Sequence, residues 1–162
     1  MNKSLYLYTA LTFFIFIIDR VTKLASLAWC MESTCTVNSF LSFEVVFNRG
    51  ISWGMFHSQS DVLFFVVSAI IAVITATLCG YAYNNYMRGN DIAAEVCIIA
   101  GSCCNLIDRV VYGGVVDFII LSYGNLSWPV FNIADTTIST GVGILIVFNK
   151  KAFGNREESQ NE

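Results

Sequence analysis

Histidine occurs once in this chain, at His57, proline once, at Pro129, and charged residues fill only 13% of its 162 positions. A Ser-His or Cys-His couple would have to be built on His57, which follows Met55 and Phe56 in a loop and reads as an interfacial residue. No stretch is rich in proline, glycine or serine, so linkers, repeats and a second domain lack support. Residues 1–162 read as one domain with a polar, flexible tail over 150–162. A net charge of -3 and a pI near 5.0 supply no basic face for a phosphate backbone, which argues against nucleic acid as a partner. The cysteines, Cys30, Cys35, Cys79, Cys97, Cys103 and Cys104, form no CxxC pair and have no histidine cluster beside them. Neither a metal site nor a cofactor is expected, and the glycines make no P-loop or dinucleotide fingerprint. Cys30 and Cys35 fall in a polar loop, where both the bonded and the free state are open.

What the chain has instead is apolar length. Its hydrophobic content is 56% and its mean hydropathy +0.63, values that fit lipid rather than water as the solvent. Val62 to Met87 contains no charged residue, and about 20 apolar residues suffice to span a bilayer. Three more spans follow the same reading, about 5–28, 92–111 and 130–149. The first resembles a signal peptide, but its apolar run meets Asp19 and Arg20 rather than a small-residue cleavage site, so it reads as a retained helix. The fold class expected is an all-α membrane protein of four transmembrane helices with a small extracytoplasmic β element. Val37, Leu41, Phe43, Val45 and Phe47 alternate with polar residues at the period of a half-buried strand, and Val115 to Ile119 can supply its partner.

Orientation by positive charge is close. Lys3, Arg88, Lys150, Lys151 and Arg156 face one side, against Arg20, Lys23, Arg49 and Arg109 on the other. Arg20, Lys23 and Arg109 each have an acidic neighbour in sequence, Asp19 or Asp108, and local pairing would take them out of the count. Both termini are therefore placed in the cytoplasm.

Charged groups in a bilayer cost about 2.5–3.5 kcal/mol at mid-helix, so those retained need a reason. Asp19 and Lys23 are four apart and can form an interfacial ion pair, or Lys23 can present its charge to a lipid headgroup or a substrate carbonyl. Asn105 and Asp108, and again Asn132 and Asp135, are three apart on one helical face, so two helices can aim Asn and Asp at a common point. The bland alternatives are a helix-dipole contact for Asp135 and a pair with Arg109 for Asp108. Asp117 lies between Val116 and Phe118 with no cation near it in sequence and no cap to fill. If Asp117 and Asp135 meet, repulsion lets them hold only one negative charge near neutral pH. Such a pair can take a proton from water with one member and polarise a carbonyl with the other. A proton-coupled transporter would use the same carboxylates but would spread polar groups through the bilayer depth, whereas these gather at one face. A passive scaffold would have no use for the repeated Asn/Asp spacing.

Five ordered motifs carry a family resemblance. Asp19-Arg20-Val21-Thr22-Lys23, Asn48-Arg49-Gly50, Asn105-Leu106-Ile107-Asp108-Arg109, Val115-Val116-Asp117-Phe118 and Phe131-Asn132-Ile133-Ala134-Asp135 resemble those of the lipoprotein signal peptidases (signal peptidase II). The resemblance implies an aspartic endopeptidase with Asp117 and Asp135 as the catalytic dyad. Asp19, Lys23, Asn48, Gly50, Asn105, Asp108, Arg109 and Asn132 would support the site and hold substrate. It implies no metal and no covalent intermediate. The substrates would be diacylglyceryl-modified prolipoproteins, cut before the lipidated cysteine by a monomer that meets them in membrane lipid, at the outer face of the bacterial cytoplasmic (inner) membrane. The chain departs from the family pattern at Gly101-Ser102-Cys103-Cys104, which loosens the expectation of close helix packing there. It departs again at Ile51-Ser52-Trp53-Gly54, which would reshape the substrate loop.

Overall fold

The computed structural model describes residues 3–50 and 60–158, and side chains as far as Val147. His57 and the segment Ile51 to Gly54 lie outside the described residues. Four long helices, α1 (Lys3–Trp29), α2 (Asp61–Met87), α3 (Ala93–Tyr112) and α4 (Ile133–Glu158), are joined by an antiparallel sheet of β1 (Cys35–Thr36), β2 (Leu41–Asn48), β3 (Val115–Tyr123) and β4 (Leu126–Ser127). Strands lie side by side in chain order. α4 continues nine residues past the span end expected at 149, through good helix formers such as Lys150, Lys151 and Ala152.

Among the described residues, α2 is the one helix long and apolar enough to cross a membrane by length and composition, with Ile133–Val147 a shorter apolar stretch. α1 and α3 carry charge in their C-terminal halves. Large apolar side chains nonetheless point outward along the helices, among them Leu7, Phe13 and Ile17 on α1 and Val62, Phe65 and Val73 on α2. An outer surface of that kind suits lipid contact and would be costly in water.

α3 is the centre of the helical layer and packs against α4, α1 and α2. Its approach to α4 is set by glycine on each side. A Cβ on Gly101 would lie 2.6 Å from the Ala134 carbonyl oxygen, and one on Gly141 would lie 2.6 Å from the Ala94 carbonyl oxygen. The helices therefore pack closely at the departure noted at Gly101 to Cys104: one glycine facing a backbone oxygen is enough, whatever Ser102 and Cys103 contribute. α3 ends at Gly113, whose φ of +69° is the left-handed conformation that closes a helix without steric cost. The chain then turns directly into β3.

β2 and β3 pair as the alternating pattern suggested, with one irregularity. Phe43 faces Ile119 and Val46 faces Asp117, so β2 carries one extra residue between them. Beyond this bulge the side-chain faces exchange. Asn48, which simple alternation would place opposite Phe43, shares the face of Asp117. Cys30 and Cys35 are joined in a disulfide that ties the end of α1 to β1.

The glycine contacts make a direct prediction. Gly101→Ala should lower stability by about 1–3 kcal/mol, the usual cost of overpacking. Gly80→Ala, whose Cβ would meet nothing within 4 Å, should not destabilise. Thermal unfolding of detergent-solubilised protein checks this, and equal midpoints for the two variants would contradict the close α3–α4 approach.

Candidate active site

Four charges meet where α1 packs on α3, three of them buried and Arg20 partly exposed. The Lys23 ammonium is 3.0 Å from Asp19 Oδ2 and 2.7 Å from Asp108 Oδ2. The Arg20 guanidinium is 2.8 Å from Asp19 Oδ2 and 2.6 Å from Asp108 Oδ1. Asp19 and Asp108 are fully buried and Lys23 is 1% exposed. Two cations balance two carboxylates, which is the condition under which such charges can be held out of water. The acids also reach the backbone of other elements. The Val116 N–H of β3 donates to Asp108 at 3.1 Å, and the Ala134 N–H of α4 donates to Asp19 at 3.1 Å.

Lys23 has one further acceptor, Asn105 Oδ1, at 3.0 Å. An ammonium can only donate, so it fixes which end of the Asn105 amide faces it. The Asn105 NH₂ is consequently turned to Asp135, donating to Oδ1 at 2.8 Å. Asn48 works in the same way from the sheet. Its oxygen accepts the Gly50 N–H at 2.9 Å and its NH₂ donates to Asp117 Oδ2 at 2.9 Å. Asn132 reaches both acids. Its NH₂ donates to Asp117 Oδ1 at 2.7 Å, its backbone N–H donates to Asp135 Oδ2 at 3.2 Å, and its oxygen accepts the Asp135 N–H at 2.8 Å. That reciprocal exchange is a capping box at the start of α4. Every oxygen of the two acids thus has one fixed donor, and a lone pair on each is left over.

Asp117 and Asp135 line one cavity of about 160 Å³ together with Asn48, Gly50, Asn105 and Arg109. Both also border a second cavity of about 290 Å³, under Trp128 to Phe131 and along the Thr136 and Thr140 face of α4. Burial pushes the Asp117 carboxyl up to about 7, and the charge of Asp135 pushes the same way, against the Asn48 and Asn132 amides and the Lys23 ammonium. A carboxyl of that kind holds or gives up a proton near neutral pH. Among the described residues no group of three His, Cys, Asp or Glu side chains is placed to hold a metal ion.

All ten sequence-nominated residues converge on this region, though two do so differently from expectation. Arg109 does not pair with Asp108. Consecutive helical residues point about 100° apart, so Asp108 faces α1 while Arg109 faces α2, where it donates to Ser68 Oγ at 3.3 Å and to the Gly50 carbonyl oxygen. Lys23 is also too deeply buried to offer its charge to a lipid headgroup. The Asp19–Lys23 pair forms as read. Asp135 takes the helix-cap role as well as lining the cavity. Ser68 was given no role: α2 reads as an apolar span, and nothing in its sequence marks the face turned toward Arg109.

The family model described as signal peptidase (SPase) II matches residues 11–150. A lipoprotein signal peptidase of Aquifex aeolicus is 34% identical over 96% of this chain and 94% of its own length. One from Rickettsia bellii is 37% identical over 90% of this chain and 76% of its own. A solved bacterial membrane enzyme, determined by the in meso method at 2.3 Å resolution, superposes with a TM-score of 0.73 at 26% identity, covering 91% of this chain and 90% of that one.

Two predictions come from the charges. Lys23→Met leaves Asp19 and Asp108 with Arg20 alone and should cost about 3–5 kcal/mol of stability; an unchanged unfolding midpoint in detergent would show the cation to be dispensable. Asp117 has its carboxyl raised from 3.8 to about 7 in the folded state. Its contribution is therefore fully present below about pH 3.8 and is lost as pH rises through about 7. Asp117→Asn does not titrate, so its midpoint relative to the parent should climb across that window, and a flat difference would contradict the assignment.

Proposed function

The chain belongs to the signal peptidase II family, membrane enzymes that remove signal peptides from prolipoproteins, and from that premise we propose that Asp117 and Asp135 perform the hydrolysis as an aspartic dyad. The observation that carries the proposal is that a buried carboxylate, Asp117, and a half-buried one, Asp135, border the same cavity with their oxygens aimed by three asparagines. The substrate is a prolipoprotein whose cysteine already carries diacylglycerol, and the bond cut is the one before that cysteine.

Two acids in one poorly solvated cavity share a single proton near neutral pH. The ionised member accepts a proton from water as the water oxygen bonds to the scissile carbonyl carbon. The protonated member hydrogen-bonds the carbonyl oxygen and stabilises the charge that develops there. Collapse of the tetrahedral species breaks the C–N bond as a proton passes to the leaving amine, and the pair returns to its starting state. Asn48, Asn105 and Asn132 hold the carboxylates in place, so little reorganisation is needed when charge moves. Lys23 orients Asn105, and Asp19 and Asp108 balance Lys23 and Arg20. Arg109 and Gly50 border the cavity and are placed to meet the substrate backbone.

In the membrane we place all four helices across the bilayer, with both termini in the cytoplasm and the sheet and dyad at the outer face of the bacterial inner membrane. The bonded Cys30 and Cys35, on the sheet side, fit an oxidising compartment. One polypeptide supplies the whole site, in keeping with a monomer.

Asp117→Asn and Asp135→Asn should each reduce cleavage of a lipidated prolipoprotein by at least about 10³-fold while the protein still folds. Near-normal turnover in either would remove the dyad. In the parent, turnover should decline as pH rises through about 7, when Asp117 gives up the shared proton; an activity still rising at pH 9 would contradict a protonated member.

A further inference from the structure

Of the helices, α2 brings no acid or amide to the dyad, and its packing is chiefly against α3. Its outer end nevertheless makes a concentrated set of contacts with the Asn48–Gly50 turn. Phe64 is buried in a helix whose neighbouring Val62, Phe65 and Val66 are exposed. The Arg49 guanidinium carbon lies 4.9 Å from the centre of its ring and that of Arg109 lies 5.5 Å away. Arg49 also pairs with Asp61, the first residue of α2. Arg109 donates to the Gly50 carbonyl oxygen and to Ser68 Oγ, and the Ser68 hydroxyl donates to the Phe64 carbonyl oxygen at 2.7 Å.

Both guanidiniums lie within cation–π range of the same ring. The negative face of an aromatic ring attracts both, and a leucine of similar volume would not. Between the two arginine contacts lies the turn whose Asn48 has its amide oxygen on the Gly50 N–H and its NH₂ on Asp117. Moving Gly50 therefore moves the donor on Asp117.

We infer that Phe64 is a positioning residue for the reaction: its ring, shared by Arg49 and Arg109, seats the Asn48–Gly50 turn on α2 and so keeps Asn48 on Asp117. This rests on the dyad reading above. Phe64 does not touch the reacting atoms. It acts through a turn of the sheet that α2 would otherwise leave without support.

Phe64→Leu, Phe64→Tyr, Ser68→Ala and Val67→Ala separate the possibilities. The charged groups around Asp117 are Asp135 from α4, Lys23 from α1 and Arg109 from α3, and none of these is altered in any of the four. Loss of the Asn48 hydrogen bond removes a group that favours the ionised carboxylate. In Phe64→Leu the alkaline limb of the kcat profile should therefore move up by roughly half a pH unit or more, with kcat down roughly tenfold. Phe64→Tyr keeps the ring face and should restore both. Ser68→Ala, a milder change, should shift the limb in the same direction and serves if Phe64→Leu does not fold. Val67→Ala empties a buried position on the same helix and should lower the unfolding midpoint without moving the limb. A limb unmoved in folded Phe64→Leu, or in Ser68→Ala where Phe64→Leu does not fold, overturns the inference; so does an equal shift in Val67→Ala. If Asp117→Asn or Asp135→Asn keeps normal turnover, it is the dyad that fails, whatever the Phe64 variants do.

Discussion

A buried ammonium that can only donate hydrogen bonds organises this molecule. Lys23 has two carboxylates and one amide oxygen around it, and each of those acceptors belongs to a different structural obligation. Asp19 continues to the backbone of α4, Asp108 to the backbone of β3, and Asn105 to Asp135. One charge on α1 therefore sets the relative positions of three other elements. In lipid this is an economical arrangement, because apolar contact alone discriminates weakly between helix packings when the surroundings are equally apolar. Polar groups that must find partners specify the packing instead.

Much of the site was legible because membrane burial makes polar residues conspicuous. Asp19, Lys23, Asn105, Asp108, Asn132 and Asp135 stood out against apolar runs, and helical spacing correctly paired Asn105 with its helix neighbours on one face. Asp117 was identified by its lack of a local partner, and its partners are indeed distant in sequence: Asn48 is 69 residues away and Asn132 is 15. The structure assigns Arg109 differently because adjacency along a helix is not adjacency in space. The bonding of Cys30 and Cys35 was open, since sequence separation fixes neither distance nor direction. Phe64 had no signal at all. An apolar residue in an apolar span acquires a role only when the fold brings cations to its ring.

The close approach of α3 and α4 shows a different kind of dependence. Here the informative atoms are the missing ones, the side chains of Gly101 and Gly141, which let backbone oxygens from the opposite helix come near. Asn105 lies one turn beyond Gly101, and Asp135 lies next to Ala134. The distance between the amide and the acid is thus inherited from a steric allowance one turn away, and the site's geometry is as much a property of helix spacing as of its own polar contacts.

The extra residue in β2 makes strand parity a determinant of this site. If β2 kept its length but paired with β3 without the bulge, Val45 in place of Val46 would face Asp117, and Asn48 would turn away from the acid without any change of identity. Removing the extra residue together with the bulge would leave Asn48 on the face of Asp117 in a regular strand. Bulge and residue count in this segment must therefore change together if the face is to be kept. What is stored there is a register, and the pairing of two strands, rather than their composition alone, keeps the asparagine beside the acid.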